Sequence, residues 1–390
     1  MGMELLFLLL PVAAFSGWFV GRNKSRAKSA TTDAPPLSRE LFQGLNFILN
    51  EQPDEALEVF IRMSQSDNET IDIQFALASL FLKRGEVDRA IRIHQNLIAR
   101  PVLSRTQRNQ ALYELGLDYM RAGLLDRAES LFQDLLSDPD YGLPSKYQLL
   151  DIFQQEKEWQ KAIEVARKLV TLNGSSVAPM IAHYYCELAE SALKRGDSAE
   201  AKKLIKRAFK EDKNCVRASL LDADIALGNA QPDYAIRAYK KIEQQDADYL
   251  PLVIEPLQKT YELQGQLTEF IRYLSALVDK RESISLLLAL VRQLHRRGDE
   301  QQAIDLLKNY LQRRPSLRAL DYLLELRANH NDSTQKEEVG IVRDILEKLL
   351  MAKPVNRCNN CGFNSKNMHW QCPSCKRWNT VKPIHGIEGE

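Results

Sequence analysis

The stretch LGLDYMRAGLLDRA, residues 115–128, reads as the end of one helix, a tight turn and the start of a second helix. The turn falls at Gly123, because glycine most readily adopts the left-handed backbone that ends a helix. Gly116 lies seven residues before this turn, and Ala128 follows it. Small residues at these places let two antiparallel helices approach closely. The stretch therefore predicts a helical hairpin.

The same pattern recurs along most of the chain. When the copies are aligned on the residue that follows the turn, the spacings are 34, 38, 34, 39, 34, 35 and 33. The aligned positions are Ala56, Ala90, Ala128, Ala162, Ala201, Ala235, Phe270 and Ala303. A period near 34 residues indicates an array of helical repeats. Two copies depart from the pattern, and we expect distorted units there: Lys157 replaces the turn glycine, and Phe270 replaces the small residue.

The repeats resemble the tetratricopeptide repeat family over about 300 residues, most clearly at residues 115–128. Pro101 and Pro315 also fall near repeat ends, where that family usually has proline. The resemblance implies an all-α superhelix, or solenoid, over residues 40–350, with about nine helix pairs and a concave inner surface. Such surfaces bind peptides or protein partners, and the repeat itself carries no chemistry.

The N-terminus has the composition of a membrane anchor. Residues 5–21 are 17 uncharged, mostly apolar residues, which would span roughly 26 Å as a helix. No Lys or Arg precedes this run, whereas Arg22, Lys24, Arg26 and Lys28 follow it. A cleaved signal peptide would show the reverse order. The positive-inside rule predicts an uncleaved, single-pass anchor at residues 1–21, with the N-terminus outside and the body in the cytoplasm.

A polar segment at residues 22–39, which contains Pro35 and Pro36, reads as a linker that keeps the body near the membrane. The whole chain has 53 Lys and Arg against 52 Asp and Glu, so its net charge is +1. That balance gives no electrostatic reason to expect nucleic acid as a partner.

The repeats contain none of the common catalytic motifs: no P-loop, G-x-G-x-x-G, H-E-x-x-H or G-x-S-x-G. His94 lies on an apolar helix face and is interpreted as a packed core histidine, while His183 and His295 receive no role. Cys186 and Cys215 are interpreted as small buried thiols. The basic run AKKLIKRAFK, residues 201–210, is interpreted first as a solvated helix face. Its alternative is a docking patch for an acidic partner or the membrane surface.

Four cysteines near the C-terminus have the spacing C-x2-C-x10-C-x2-C: Cys358, Cys361, Cys372 and Cys375. Two short knuckles of this kind can present four thiolates to one tetrahedral metal ion. A reducing cytoplasm favours metal ligation over structural disulfides. A redox pair of disulfides remains the alternative. Phe363, Trp370 and Trp378 are expected to form a small apolar shell around the metal.

Residues 354–385 resemble a rubredoxin-like or zinc-ribbon module. Rubredoxins have glycine after both cysteine pairs, whereas here Gly362 follows the first pair and Lys376 follows the second. Zinc is the first choice of ion, because it favours tetrahedral sulfur sites, and iron is the alternative. We expect the module either to cap the exposed apolar face of the last repeat or to fold back onto the repeats. Either arrangement could also provide a surface for a partner.

The ordered combination of anchor, basic linker, repeats and four-cysteine module resembles the lipopolysaccharide assembly protein B family of Gram-negative bacteria over the whole chain. This resemblance implies a non-enzymatic adaptor in the inner membrane that faces the cytoplasm. It implies two partners, a membrane-anchored AAA+ protease and its client, the lipid A deacetylase. The adaptor would promote destruction of the deacetylase and so regulate lipopolysaccharide synthesis. Other inner-membrane regulators and a second copy of the chain remain open as partners.

Two other functions remain open from the sequence. One is a membrane-tethered scaffold that assembles enzymes of envelope or lipopolysaccharide synthesis without directing proteolysis. The other is a rubredoxin-like electron carrier with iron on the four cysteines.

Overall fold

A computed structural model describes residues 43–44, 46–47, 50, 52–64, 71–101, 103–173, 177–328, 333–387 and 389. The predicted anchor, residues 1–21, and the predicted linker, residues 22–39, lie outside the described residues. Among the helices of the described ranges, none combines the length and apolar character needed to cross a bilayer. The anchor and the linker therefore stay predictions.

Helices form nearly all of the described chain before residue 353, and we number them α1 to α17. The first nine are Pro53–Ser64, Ile71–Lys83, Val87–Ile98, Arg105–Arg121, Leu125–Asp134, Gly142–Gln155, Trp159–Asn173, Ala178–Lys194 and Ser198–Glu211. The others are Val216–Gly228, Pro232–Gln245, Leu250–Leu263, Leu267–Lys280, Ile284–Arg297, Glu300–Arg313, Leu317–Ala328 and Ser333–Ala352. A 3₁₀ turn, Ala247–Tyr249, precedes α12.

Consecutive helices contact each other in pairs, for example α2 with α3, α4 with α5 and α16 with α17. In most pairs a residue in the left-handed region joins the first helix to the second, and it is glycine in five of them. Lys157 takes the same conformation, with φ of 59°. The N–H of Glu158 also donates to the carbonyl of Phe153 at 2.8 Å, the bond that Glu86 makes to Phe81 in the second repeat. The expected distortion at Lys157 is therefore wrong, because hydrogen bonding at the helix end outweighs the strain of a side chain there.

The small residues predicted at the helix crossings are buried. A Cβ placed on Gly116 of α4 would lie 2.7 Å from the ring of Phe132 in α5, and that ring is fully buried. Ala78 and Ala189 occupy the same position in other repeats and are also fully buried. Phe270, the other departure from the pattern, is fully buried in its slot on α13. This slot therefore accommodates a buried aromatic ring.

The chain forms two compact units with a boundary between Ser145 and Lys146. In the first unit, apolar side chains of α1, α2 and α3 form a shared core. His94 is buried there as predicted, with its Nδ1 atom 2.7 Å from Oδ2 of buried Asp118. In the second unit, the first helices of neighbouring pairs contact each other: α8 contacts α10, α12 contacts α14, and α14 contacts α16.

The second unit also contains a small sheet after the last helix. Its strands are β1, Asn356–Cys358, β2, Asn364–Ser365, and β3, Val381–Pro383. They are antiparallel in the order β2-β1-β3. The fold class is thus confirmed for the described residues: an all-α repeat array is followed by a small C-terminal module.

Replacing Gly116 with leucine tests the close helix crossing. The new side chain would have to enter the volume of the buried Phe132 ring, and overpacking of this kind costs about 1–3 kcal/mol or more. We expect a clearly lower midpoint of urea unfolding, followed by circular dichroism. Gly228→Leu is the matched control, because no atom lies within 4 Å of the Cβ position at this exposed helix end. Equal stability of the two variants would contradict close packing of Gly116 against Phe132 at this crossing.

Candidate metal centre

The structure brings the four predicted cysteines together at the centre of the module. All four Sγ atoms lie within 4.8 Å of one another. The Sγ atom of Cys358 lies 3.7 Å from that of Cys375, and the Sγ atom of Cys361 lies 3.7 Å from that of Cys372. A tetrahedral ion with metal–sulfur bonds of about 2.3 Å places its ligands about 3.8 Å apart. The donor set therefore fits one tetrahedral metal ion with little movement of the side chains.

Two matching knuckles hold the sulfurs in place. In the first, the N–H of Gly362 donates to the carbonyl of Cys358 at 2.9 Å, and the N–H of Cys358 donates to the carbonyl of Phe363 at 2.8 Å. In the second, Lys376 and Cys372 make the corresponding bond at 2.9 Å. Gly362 has φ of 77° and Lys376 has φ of 58°. The missing second glycine therefore does not change the knuckle, and it does not discriminate between zinc and iron.

The environment of the thiols prepares some of them for ionisation. Burial opposes ionisation of Cys358, but hydrogen bonding with the Thr380 hydroxyl and the backbone N–H groups of Cys361 and Asn360 lowers its pKa to about 6. Burial also opposes ionisation of Cys375, yet hydrogen bonds, chiefly from the backbone N–H of Arg377, lower its pKa. Burial raises the pKa of Cys372 to about 11. A bound cation would favour the thiolate at all four positions.

The apolar shell of the cysteines is smaller than predicted. Phe363 packs against buried Cys358, Cys372 and Val381, as expected, and Met368 joins it. Trp370 instead packs against the core of the repeats, and Trp378 contacts aromatic residues of α7 and α8. The expectation that both tryptophans surround the metal is wrong, because rings of this size can bury more surface against the repeats than inside so small a module.

Trp378 fits among three aromatic side chains of the repeats. Its ring stacks on His183 with centroids 5.1 Å apart. It also makes T-shaped contacts with Tyr184, at a centroid distance of 5.7 Å, and with Trp159, at 6.0 Å. Burial lowers the pKa of His183 to about 3, so its imidazole is neutral at physiological pH and can stack in an apolar site. Aromatic pairs at these separations add to the stabilisation from buried area.

A single amide anchors this contact. Oε1 of Gln154, near the end of α6, accepts a hydrogen bond from the indole Nε1 of Trp378 and another from Nε2 of Gln371, both at 3.0 Å. The Nε2 atom of Gln154 in turn donates to the carbonyl of Leu150 at 3.2 Å, which orients the amide. The polar ends of the module side chains therefore have partners on the repeats.

A second anchor lies at the 3₁₀ turn before α12. The hydroxyl of fully buried Tyr249 donates to Oδ1 of Asn379 at 2.7 Å and lies 3.2 Å from the carbonyl of Val381. Lys382 forms an ion pair with Asp246, and its Nζ atom lies 4.0 Å above the Tyr249 ring. Together with the Trp378 contact, these bonds hold the module against the repeats of the second unit at two separate places.

The module folds back onto earlier repeats and does not cap the last one. Gln154 and Trp378 are separated by 224 residues in sequence. The last helix, α17, keeps an apolar row exposed, in which Ile341 is 57%, Ile345 is 54% and Leu349 is 48% accessible. The cap is thus the wrong one of the two predicted arrangements. The aromatic and polar partners on the repeats give the module more to bind than one helix face offers.

Several residues of this contact were not identified from the sequence. His183 received no role, and neither Gln154 nor Tyr249 carries a signal that separates it from other repeat residues. Two tryptophans within 9 residues in a short module were the available clue, because a module this small cannot bury both. Cys186 and Cys215 are buried as predicted, with sulfurs 3.9 Å apart in the second unit.

Separate substitutions at the two left-handed knuckle residues, Gly362 and Lys376, test the backbone geometry. Lys376 is exposed and left-handed, so Lys376→Gly should stabilise the metal-loaded module by about 0.5–1 kcal/mol and slow metal transfer to a chelator. Gly362→Lys should do the opposite at the matching position. Transfer rates that change in the same direction for both variants would contradict the shared geometry.

Replacing Trp378 with alanine should release the module without emptying it. The variant loses three ring contacts and one hydrogen bond on the repeat side, but no sulfur ligand. We expect unchanged metal content and faster amide hydrogen exchange at Ala247–Tyr249, where β3 contacts the repeats. Trp378→Phe, which keeps a ring, should show a smaller increase. Unchanged exchange in the alanine variant would show that Trp378 does not hold the module.

Comparison with known proteins gives consistent matches. The rubredoxin metal binding domain family matches residues 357–383, and the tetratricopeptide repeat family matches residues 75–141 and 186–249. Among solved structures, a tetratricopeptide repeat protein from Parabacteroides merdae is 21% identical, with a TM-score of 0.31 and coverage of 66% of this chain and 97% of that one.

Two relatives match over the whole chain. Lipopolysaccharide assembly protein B of Escherichia coli K12 is 37% identical over 388 residues, covering 99% of this chain and 100% of the relative. The protein of the same name from Haemophilus influenzae is 32% identical over 395 residues, covering 99% of each chain. With this level of identity over the full length, the chain belongs to the lipopolysaccharide assembly protein B family.

Proposed function

We propose that the protein is a non-enzymatic adaptor that regulates lipopolysaccharide synthesis. It binds the lipid A deacetylase and a membrane-anchored AAA+ protease, and so promotes degradation of the deacetylase. The observation that carries the proposal is the full-length similarity to proteins named for lipopolysaccharide assembly. Repeat arrays of this type offer extended surfaces for protein partners, which is the property an adaptor needs.

The adaptor acts from the inner membrane. Residues 1–21 span the bilayer once, with the N-terminus outside, and residues 22–39 keep the body at the cytoplasmic surface. Confinement of the adaptor, its client and the protease to one surface raises their effective concentrations. The charge pattern supports this orientation, because Arg22, Lys24, Arg26 and Lys28 follow the apolar run.

The module holds one metal ion, for which zinc is our first choice and iron the alternative. Cys358, Cys361, Cys372 and Cys375 are the ligands, and the ion supplies the folding energy that a segment with so few buried apolar residues lacks. The folded module then contacts Gln154, His183 and Tyr249 on the repeats. Its role in the adaptor is to fix one arrangement of this surface.

The half-life of the lipid A deacetylase after translation is stopped tests the adaptor function. Depletion of the protein should lengthen the half-life several-fold, and the full-length chain should restore it. A chain without residues 1–21 should fail to restore it if tethering is part of the mechanism. An unchanged half-life on depletion would reject the adaptor function and leave the scaffold as the alternative.

The double substitution Cys372→Ser and Cys375→Ser tests the role of the metal in the same assay. We expect no bound metal, a red-shifted tryptophan emission as the module leaves the repeats, and no rescue of deacetylase degradation. The pair Cys186→Ala and Cys215→Ala is the matched control, because it also removes two thiols but leaves the four ligands intact. Full rescue by the metal-free variant would show that the docked module is dispensable.

The metal itself separates the adaptor from an electron carrier. Iron on four cysteines gives a visible absorption band that bleaches reversibly on reduction, and zinc gives none. Such a band in protein from cells without overexpression would support electron transfer. Metal analysis of the same sample identifies the ion directly.

A further inference from the structure

A cavity of about 280 Å³ lies in the second unit, away from the metal module. It is formed by the second helices of two successive repeats, α9 and α11, with α10 between them. The basic run at residues 201–210 contributes Lys202, Lys206 and Phe209 to its wall, and α11 contributes Tyr234, Arg237 and Lys241. The run is therefore more than a solvated helix face, because part of it lines a recess.

The cavity carries a net positive charge. Its wall has four cationic side chains and one carboxylate, that of Asp222. The hydroxyl of Tyr234 donates a hydrogen bond to Oδ2 of Asp222 at 2.8 Å, so this carboxylate already has a partner. Nearby cations outside the cavity form ion pairs: Lys203 with Glu200, and Arg167 with Glu211.

The four cations of the cavity differ from these neighbours. Within the part of the chain that the structure describes, none of Lys202, Lys206, Arg237 and Lys241 forms an ion pair with a carboxylate. Unpaired cations are ordinary on a surface, but four that face one recess create a local positive potential. An anionic group that enters the recess meets a net positive charge, because the single carboxylate of Asp222 offsets only part of the charge of the four cations.

Aromatic rings contact three of these four cations. The Nζ atom of Lys241 lies 4.0 Å from the ring centroid of Phe209, and Lys202 and Arg237 each lie 5.7 Å from the Tyr234 ring. Cation–π contacts orient the side chains but leave their positive charge in place. The wall also includes buried Ile205 and Ala238, and the rings of Phe209 and Tyr234 are partly accessible. The cavity thus offers positive charge next to apolar ring surface.

The dimensions suit an extended chain. Lys202 and Phe209 on α9, like Tyr234 and Lys241 on α11, are seven positions apart, or about 10 Å along a helix. Three residues of an extended peptide span the same distance. A flat membrane surface reaches cations on a convex face more readily than cations that line a recess between two helices. A peptide with carboxylates at both ends of one apolar side chain matches both the charge and the spacing.

We propose that this cavity binds an acidic peptide segment of a partner protein. Carboxylates of the segment pair with the four cations of the cavity, and an apolar side chain between them packs on the accessible parts of the Phe209 and Tyr234 rings. The cavity uses second helices of the repeats, whereas the metal module contacts residues of α6, α7 and α8 and the turn before α12. The proposal therefore does not depend on the adaptor function. A peptide in the cavity and the docked metal module contact different surfaces, so both can be bound at the same time.

The test measures binding of a fluorescein-labelled peptide, with two acidic residues on each side of one phenylalanine, to the full chain in neutral detergent. We expect saturable binding that weakens with added salt, and at least about tenfold weaker binding after Lys206→Glu and Lys241→Glu. The matched control is Arg207→Glu with Lys210→Glu, which changes the net charge equally on exposed residues outside the cavity. It should retain nearly all of the affinity.

A second pair, Lys206→Gln with Lys241→Gln, removes the charges without reversing them and should give an intermediate loss, with circular dichroism confirming that each variant is folded. A peptide in which lysine replaces the acidic residues should not bind. Equal weakening by the cavity pair and the control pair would overturn the proposal, and so would the absence of peptide binding. Binding of phosphatidylglycerol vesicles that depends on Lys206 and Lys241, without peptide binding, would also overturn it and assign the cavity to the membrane.

Discussion

Close packing at each helix crossing is the constraint on which the repeat array depends. The Phe132 ring of the second helix leaves no room for a side chain at Gly116, and Ala78 and Ala189 are fully buried at the same position in other repeats. A left-handed residue then turns the chain back at the same point in most of the described pairs. The surface of the array, including the cavity between α9 and α11, follows from this spacing, because it sets how far apart neighbouring helices lie.

The C-terminal module solves a different problem, that of a segment too short to have a core. Cys358, Cys372 and Val381 are its buried residues, with Phe363 and Met368 beside them. A metal ion on the four sulfurs would replace the missing apolar volume, and the repeats provide further contacts by accepting two tryptophans. The module would then be stabilised from inside by its metal ligands, and it is held from outside by His183, Gln154 and Tyr249. Without the contacts to the repeats, a large apolar ring would be exposed. Without the metal, the knuckles would lack their ion.

The sequence predicts the repeats and the ligands well because both depend on local spacing. The period near 34 residues, the turn glycines and the two cysteine pairs each lie within a short stretch. Lys157 and Lys376 show the limit of this reasoning, since each takes a left-handed conformation that hydrogen bonds of the surrounding turn impose on a residue with a side chain. Docking on the repeats was one of two alternatives open from the sequence, but the docking contacts could not be predicted, because Gln154 and Trp378 meet across 224 residues and no periodic pattern connects them. The cavity could not be predicted for the same reason, because its lysines and aromatic rings come from separate repeats.

The long return of the module changes how the second unit holds together. An open repeat array has contacts only between neighbours, so its ends can unfold while its middle stays folded. Hydrogen bonds between Gln154 and the segment around Trp378 close this part of the chain into a ring of interactions, which raises its contact order. The ring can close only after the segment around Trp378, which is made more than 200 residues after Gln154, has left the ribosome. Metal binding at the four cysteines would thus link folding of the module to the final locking of repeats that were made much earlier.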